Sequence, residues 1–303
     1  MSIDQELALT VAMVVDEGSL DAAARRMHVT PSAVSQRVRS LEEQLGRVLV
    51  VRSRPVRATS AGEIVIRLAR QYALLEHDAL EQFGLRDGGD DQDGALAVIP
   101  LAVNADSLAS WFLAPLARLS VRHPVVFDLH RDDQDFTAGL LEAGTVMAAV
   151  TSRAAPVAGC TSRPLGVLRY EAVAAPDYLA RVMPGSVDGA SLARAPFIDF
   201  DRRDDLQREW LRQRGVDAAR VPRHYVPASR DFAEAIVRGL GWGMLPHVQA
   251  ASWVEEQKLV SLGGPGIDVP LYWQQWNLRS ELLDDIAAEI MAEASRALIP
   301  VGH

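Results

Sequence analysis

The alternation of apolar and polar positions has a helical period at the start of the chain and breaks into shorter, strand-like runs after residue 95. Residues 4–15 bring Leu7, Leu9, Val11, Ala12, Val14 and Val15 under whatever packs above them. Ser19, after Gly18, is a good helix cap, and Leu20, Ala23, Ala24 and Met27 give the next helix a small-residue face suited to close crossing. His28-Val29 make a short turn. Thr30-Pro31 then starts a third helix: the threonine hydroxyl satisfies a free backbone N–H, and proline's missing donor costs nothing in the first turn. Wound into a helix, Val34, Val38, Leu41 and Leu45 line one side, with Ser32, Ser35, Gln36 and Arg39 on the other. Gly46 suits a left-handed close. The β-branched run Val48 to Val51, followed by Arg52, Arg54, Pro55 and Arg57, reads as a small wing with an arginine-rich tip.

A long helix capped by Thr59 or Ser60 extends to about Phe83, with Val65, Leu68, Tyr72, Leu75 and Ala79 at heptad-like spacing. Such a seam pairs with a copy of itself or packs on its own domain, and spacing leaves both open. Residues 84–94 are glycine-rich, acidic and nearly free of apolar side chains, the composition of a hinge between domains. Beyond it, strands are expected over 95–103, 125–129 and 146–150, with helices over 106–118 and 136–143 between them. This βαβα order predicts a mostly parallel sheet. Strands at 167–174, 197–200 and 225–226, with helices near 206–212 and 229–238, suggest a second lobe. An aromatic strand, 271–276, and a helix to about Leu298 end the pattern.

The 303 residues suffice for about two domains. Charge is unevenly placed in this chain of net charge −9. Over residues 31–58, six arginines (37, 39, 47, 52, 54, 57) face two glutamates (42, 43), a local +4. That excess is the footprint of phosphate contacts, and the polar face of the third helix is what a major groove would meet. Only this module suits DNA, because the rest carries the acidic excess. Asp4 and Glu6 precede any basic residue, unlike a signal peptide, and no apolar run approaches the ~20 residues of a membrane span. The single cysteine, Cys160, forms no intrachain disulfide and fits a reducing cytoplasm. There is no P-loop, no G-x-S-x-G elbow, no H-E-x-x-H and no Cys-based metal spacing, and the seven histidines are scattered. Neither an enzyme nor a metal site is expected, and Gly239 to Gly243 reads as a tight turn.

The runs Gly18-Ser19-Leu20-Asp21-Ala22-Ala23-Ala24, Thr30-Pro31-Ser32-Ala33-Val34-Ser35-Gln36, Leu41-Glu42 and Thr59-Ser60-Ala61-Gly62 resemble, in order and spacing, the N-terminal signature of LysR-type transcriptional regulators. The resemblance implies an α/β protein: a mostly helical winged helix-turn-helix (1–58), a linker and dimerisation helix (59–83), the hinge (84–94), and a two-lobed α/β effector domain of the periplasmic-binding-protein type II (95–303). Lobe I would span about 95–165 and 271–303, and lobe II about 166–270. Candidate DNA contacts are Pro31, Ser32, Ser35, Gln36, Arg37, Arg39, Arg52 and Arg54. Ser32, Ser35 and Gln36 are expected at base edges, and Arg39, Arg52 and Arg54 at phosphates.

Open α/β sheets bind ligands at the carboxyl ends of strands. Four places fit: Asn104-Ala105-Asp106-Ser107, Thr151-Ser152, Asp199-Phe200-Asp201 and Ser229-Arg230-Asp231. The hydroxyls of Ser107, Thr151 and Ser229 suit a carboxylate, and Asp106, Asp132, Asp133, Asp199, Asp201 and Asp231 suit a cation, so a zwitterion with a basic tail would complement both. Any one of these acids also reads as an ordinary helix cap. The runs Val103 to Phe112, Ala148 to Thr151, Ala233-Glu234-Ala235, Gly241-Trp242-Gly243-Met244-Leu245-Pro246 and Leu271-Tyr272-Trp273 resemble the ArgP/LysG subgroup, extending the similarity over nearly the whole chain. Asn104 and Trp242 join the candidate effector set on this ground. The subgroup implies a cytoplasmic homodimer or homotetramer that senses lysine or arginine, with histidine a further candidate, and with RNA polymerase activates a basic amino-acid exporter gene. The rivals are a ligand-independent architectural DNA-binding protein, a LysR-type regulator with an unrelated effector, and an enzyme on the same two-lobed scaffold.

Overall fold

Capped helices build the amino-terminal head. α1 (Gln5–Asp16) starts where Asp4 accepts from Leu7 N, α2 (Leu20–Arg26) where Ser19 accepts from Ala22 N, and α3 (Pro31–Leu45) where Thr30 accepts from Ala33 N. Gly46 closes α3 in the left-handed region, at φ 63°. The computed structural model describes residues 2–83, 96–131 and 137–300. β1 (Val50–Val51) and β2 (Arg57–Ala58) pair antiparallel as the wing.

α4 (Ser60–Gln82) begins at the cap Thr59, whose Oγ1 also donates to Val48 O at 2.7 Å. A Cβ at Gly62 would stand 2.0 Å from Leu49 O, so only glycine lets the helix seat there. The Thr59-to-Gly62 run is thus a docking device as well as a cap. Val65, Ile66 and Ala69 join Val11, Val34 and Leu41 in the head core. Val65 therefore belongs to that core and not to the outward seam. Leu68 and Tyr72 are half-buried, Leu75 and Ala79 exposed, and Ile64 and Phe83 are 70% and 76% exposed.

The first lobe contains β3 (Ala97–Val103), α5 (Ala105–Ser110), α6 (Leu113–Arg122), β4 (Val125–Arg131), α7 (Thr137–Glu142) and β5 (Ala148–Thr151). β3 runs parallel to both β4 and β5. The helix expected over 106–118 is broken at Trp111 and Phe112. Pro115 is the cause: it offers no N–H to the Trp111 carbonyl, and its ring crowds that carbonyl. The break turns both aromatic rings into the core, edge to face at 5.6 Å.

β6 (Cys160–Ala174) is about twice the expected strand. It is followed by α8 (Pro176–Val182), α9 (Gly189–Leu192), β7 (Phe197–Asp199), α10 (Leu206–Arg212), β8 (Arg223–Tyr225), α11 (Ser229–Val237), β9 (Gly243–Pro246), α12 (His247–Glu255), β10 (Val260–Ser261), β11 (Ile267–Trp276) and α13 (Glu281–Ala297). β6 and β11 pair antiparallel and cross between the lobes, within the order β10-β6-β11-β5-β3-β4, with β9 also on β6. Their register slips between Leu271 and Tyr272, opposite Gly166 and Pro164. Pro164 lacks a ladder donor and Gly166 sits at φ 147°, features that also hide the first half of β6 from pattern reading. The parallel pairing expected from the βαβα order holds for β3, β4 and β5, but the main sheet as a whole is mixed, because β10, β6, β9 and β11 meet antiparallel; β7 and β8 pair parallel in a separate two-stranded sheet.

Candidate DNA interface and ligand cleft

α3 buries Val34, Val38 and Leu41 and exposes Pro31, Ser32, Gln36 and Arg39, with Ser35 half-buried. Thr30 Oγ1 shares a 2.9 Å hydrogen bond with Ser32 Oγ, ordering the first turn. Arg37 turns away from this face and pairs with Glu6 of α1 at 2.7 Å. Three residues from Val34 and four from Leu41, it stands at the edge of the buried stripe. It ties α3 to α1. Arg52 and Arg54 are exposed at the wing tip. Val56 N donates to Gly18 O at 2.8 Å, and Leu49 N to Glu42 Oε1 at 2.8 Å, so the wing is held by both the α1–α2 turn and α3.

A cleft of about 510 Å³ lies between the lobes. It is lined by Asn104 and Asp106 at the start of α5, Arg131 at the end of β4, Tyr170 of β6, Asp201 to Leu206 in part, and Glu209 of α10. Asp106 is its centre. Its Oδ2 accepts from Tyr170 OH at 2.7 Å and its Oδ1 from Ser229 Oγ at 2.6 Å, joining elements of both lobes. Burial pushes this carboxyl above the usual carboxylate range, against the pull of the two hydroxyl donors. Asp204 is also pushed up by burial and by the negative charge of Asp106, although Phe200 N and Leu206 N each donate to it at 3.0 Å. Asp201, Asp205 and Glu209 extend this acidic wall. The cations among the described lining residues are Arg131 and Arg203, the latter 3.3 Å from Asp201. Asn104 Oδ1 and Ser107 Oγ are buried without a hydrogen-bond partner at the start of α5.

Of the effector candidates, Asn104, Asp106 and Asp201 line the cleft, and Ser229 reaches it through Asp106. Ser107 and Thr151 are wholly buried behind it. Asp199 is buried and 3.4 Å from Arg223. Burial, with the nearby charge of Asp204, pushes its carboxyl up to about 7 against the pull of Arg223. Asp231 is exposed on α11, away from the lining. Trp242 is corrected outright: it has no exposed surface and packs against Trp210 at 5.0 Å and Phe197 at 5.6 Å. It is a core residue of lobe II. Asp132 and Asp133 lie outside the described residues. Sequence reasoning missed Tyr170, which sits mid-strand like any core aromatic, and Asp204, which is lost in the charged run 201–205. Its only local hint is an acid two residues before a helix.

The winged head matches the family description "Bacterial regulatory helix-turn-helix protein, lysR family" over residues 6–63, and the body matches "LysR substrate binding domain" over residues 96–293. The chain belongs to the LysR family of bacterial transcriptional regulators. Within this LysR family it falls in the ArgP/LysG subgroup. It is 41% identical to the lysine export transcriptional regulatory protein LysG of Corynebacterium efficiens, over 95% of this chain and 96% of that one. The crystal structure of ArgP from Mycobacterium tuberculosis superposes with a TM-score of 0.82 at 42% identity, covering 99% of this chain and 100% of that chain. Full-length LysG from Corynebacterium glutamicum with bound effector Arg gives a TM-score of 0.75 at 36% identity, covering 98% and 100%. This LysR-family chain is a DNA-binding transcription regulator, not an enzyme. Among the described residues no helix is long and apolar enough to cross a membrane.

Proposed function

We propose that this LysR-family regulator senses a basic amino acid in the cleft between its lobes and activates a gene for a basic amino-acid exporter. The observation that carries the reading is the lining charge: Asp106, Asp201, Asp204, Asp205 and Glu209 against Arg131 and Arg203. The acids suit a cationic side chain, and the arginines suit the α-carboxylate of the same ligand. Lysine and arginine fit best, with histidine a third candidate. Support comes from the bound Arg in the LysG structure from C. glutamicum and from the C. efficiens relative, a lysine export transcriptional regulatory protein.

In this reading residues 1–58 read DNA, 59–83 join copies through the outer face of α4, and 95–303 sense the ligand. Lobe II begins near the slip at Gly166 and ends near Leu271. Ser32, Ser35 and Gln36 meet base edges, and Arg39, Arg52 and Arg54 meet phosphates. A dimer or tetramer sets two heads on successive half-sites, and ligand-driven lobe closure changes their spacing and the recruitment of RNA polymerase. The test is calorimetric titration of the full-length protein with lysine, arginine, histidine and glutamate. Saturable binding of a basic amino acid without glutamate binding is expected. Glutamate binding, or no binding of any of the four by folded protein, would overturn the reading.

A further inference from the structure

Two arginines of α4 make the joint between head and body. Arg67 Nη2 donates to Leu141 O at 3.3 Å and to Glu142 O, at the end of α7. Further along α4, Arg70 Nη1 donates to Gly144 O, just past that helix, and Nη2 to Asp16 Oδ1 at 2.6 Å. The Arg70 side chain is 12% exposed, so one buried guanidinium fork spans a residue of the head and a loop of the body. The backbones approach closely here: a Cβ on Gly144, at φ 72°, would stand 2.7 Å from Arg67 Cβ. α4 also contributes to both cores, with Ile66 and Ala69 in the head and Leu74 in the body.

Asp16 is poorly placed for its own helix. It is the last residue of α1, where the helix dipole disfavours a carboxylate, and the partial desolvation of a side chain still 46% exposed pushes its carboxyl up. Its compensation comes from outside α1. Arg70 holds it, and the body strand β4 brings Asp128 and His130, 3.0 Å apart, near enough to act on its charge in opposite senses. The residue after His130 is Arg131, which lines the cleft. One strand of the body therefore faces the ligand cleft at its end and the head beside it.

We propose that the Arg70–Asp16 pair is the joint through which cleft occupancy positions the DNA-reading head, with Arg70 as its positioning residue. This rests on the reading of the cleft as a basic amino-acid site. Ligand engaging Arg131 shifts β4 and its lobe, and with them Asp128, His130 and the Gly144 carbonyl, against the Arg70 fork. Because α1 is tied to α3 through Glu6 and Arg37, a displacement of Asp16 is carried to the recognition helix.

The test uses full-length protein, with arginine as probe, hydrogen exchange of residues 13–17 and calorimetry. In the parent chain, arginine is expected to change exchange at this segment by about fivefold. Arg70→Ala and Asp16→Ala should bind arginine within about twofold of the parent yet lose that change. Asp16→Asn, whose amide oxygen still accepts from Arg70, should keep it, which a merely stabilising role for the charge would not produce. A full response in both alanine variants would overturn the proposal, as would arginine binding that leaves exchange in the parent unchanged. A fall in arginine affinity in Arg70→Ala alone would mark damage to that variant, and Asp16→Ala then decides. If arginine fails to bind the parent chain, the effector reading fails first and the coupling with it.

Discussion

The head and the body assemble their recognition surfaces over different ranges of chain. In the head the groups proposed to meet DNA lie within residues 31–54, and those of α3 are placed by near neighbours: Thr30 caps the helix, Gly46 closes it, and Val34 and Leu41 turn its polar side outward. In the body Asp106 meets Tyr170 and Ser229, which are 64 and 123 residues away. Periodicity and capping decide where a side chain points on one helix. They carry no information about which strand end will face another, and that is where the cleft is made.

The sharpest way to break this contrast is to injure each region alone. Asp106→Ala removes the acceptor of two hydroxyls and the central negative charge of the cleft. It should weaken arginine binding by about 3 kcal/mol, over a hundredfold, while ligand-free DNA affinity stays as it was. Calorimetry beside a DNA-binding titration checks this, and equal loss in both would mean that the regions are not separable. Gly62→Ala forces a Cβ onto Leu49 O and should destabilise the head by about 2 kcal/mol, read by thermal melting, with arginine affinity retained. A variant as stable as the parent would refute the close approach. Within the head, Gln36→Ala should cost about 1.5 kcal/mol of discrimination between operator and unrelated DNA. Arg52→Ala should instead weaken binding to all DNA and lower the salt slope by about 1. Equal losses on every sequence from both changes would sink the division into base-edge and phosphate contacts.

The smallest effect lies under the cleft. Asp199 holds its proton up to about 7, whereas an unfolded aspartate loses it near about 4. Between those values the folded state binds more protons than the unfolded one, so this group makes stability fall as pH rises from about 4 to about 7, with no further change above. Asp199→Asn should flatten that part of the pH–melting profile. An unchanged slope would remove Asp199 as its source.

The amino-acid sequence by itself determined the local architecture: the caps at Ser19, Thr30 and Thr59, the left-handed Gly46, the polar face of α3, the wing, and the elements at 206–212, 229–237 and 281–297. These rest on interactions within a few residues, which patterns record directly. Some features needed one non-local fact each. Arg37 had to find Glu6, and Val65 had to choose the head core over the seam. The helix break before Pro115 is, by contrast, a local effect of proline on the carbonyl four residues earlier, which apolar periodicity alone does not register. The cleft was decided by tertiary structure alone. Tyr170 and Asp204 look unremarkable along the chain and become functional candidates only when β6 crosses between the lobes and residues 200–206 face α5. Trp242 shows the converse, since the subgroup resemblance made it a cleft candidate, but a large apolar ring gains most by complete burial against Trp210 and Phe197. Which charges share one cleft depends on how distant segments pack, and no local preference encodes that.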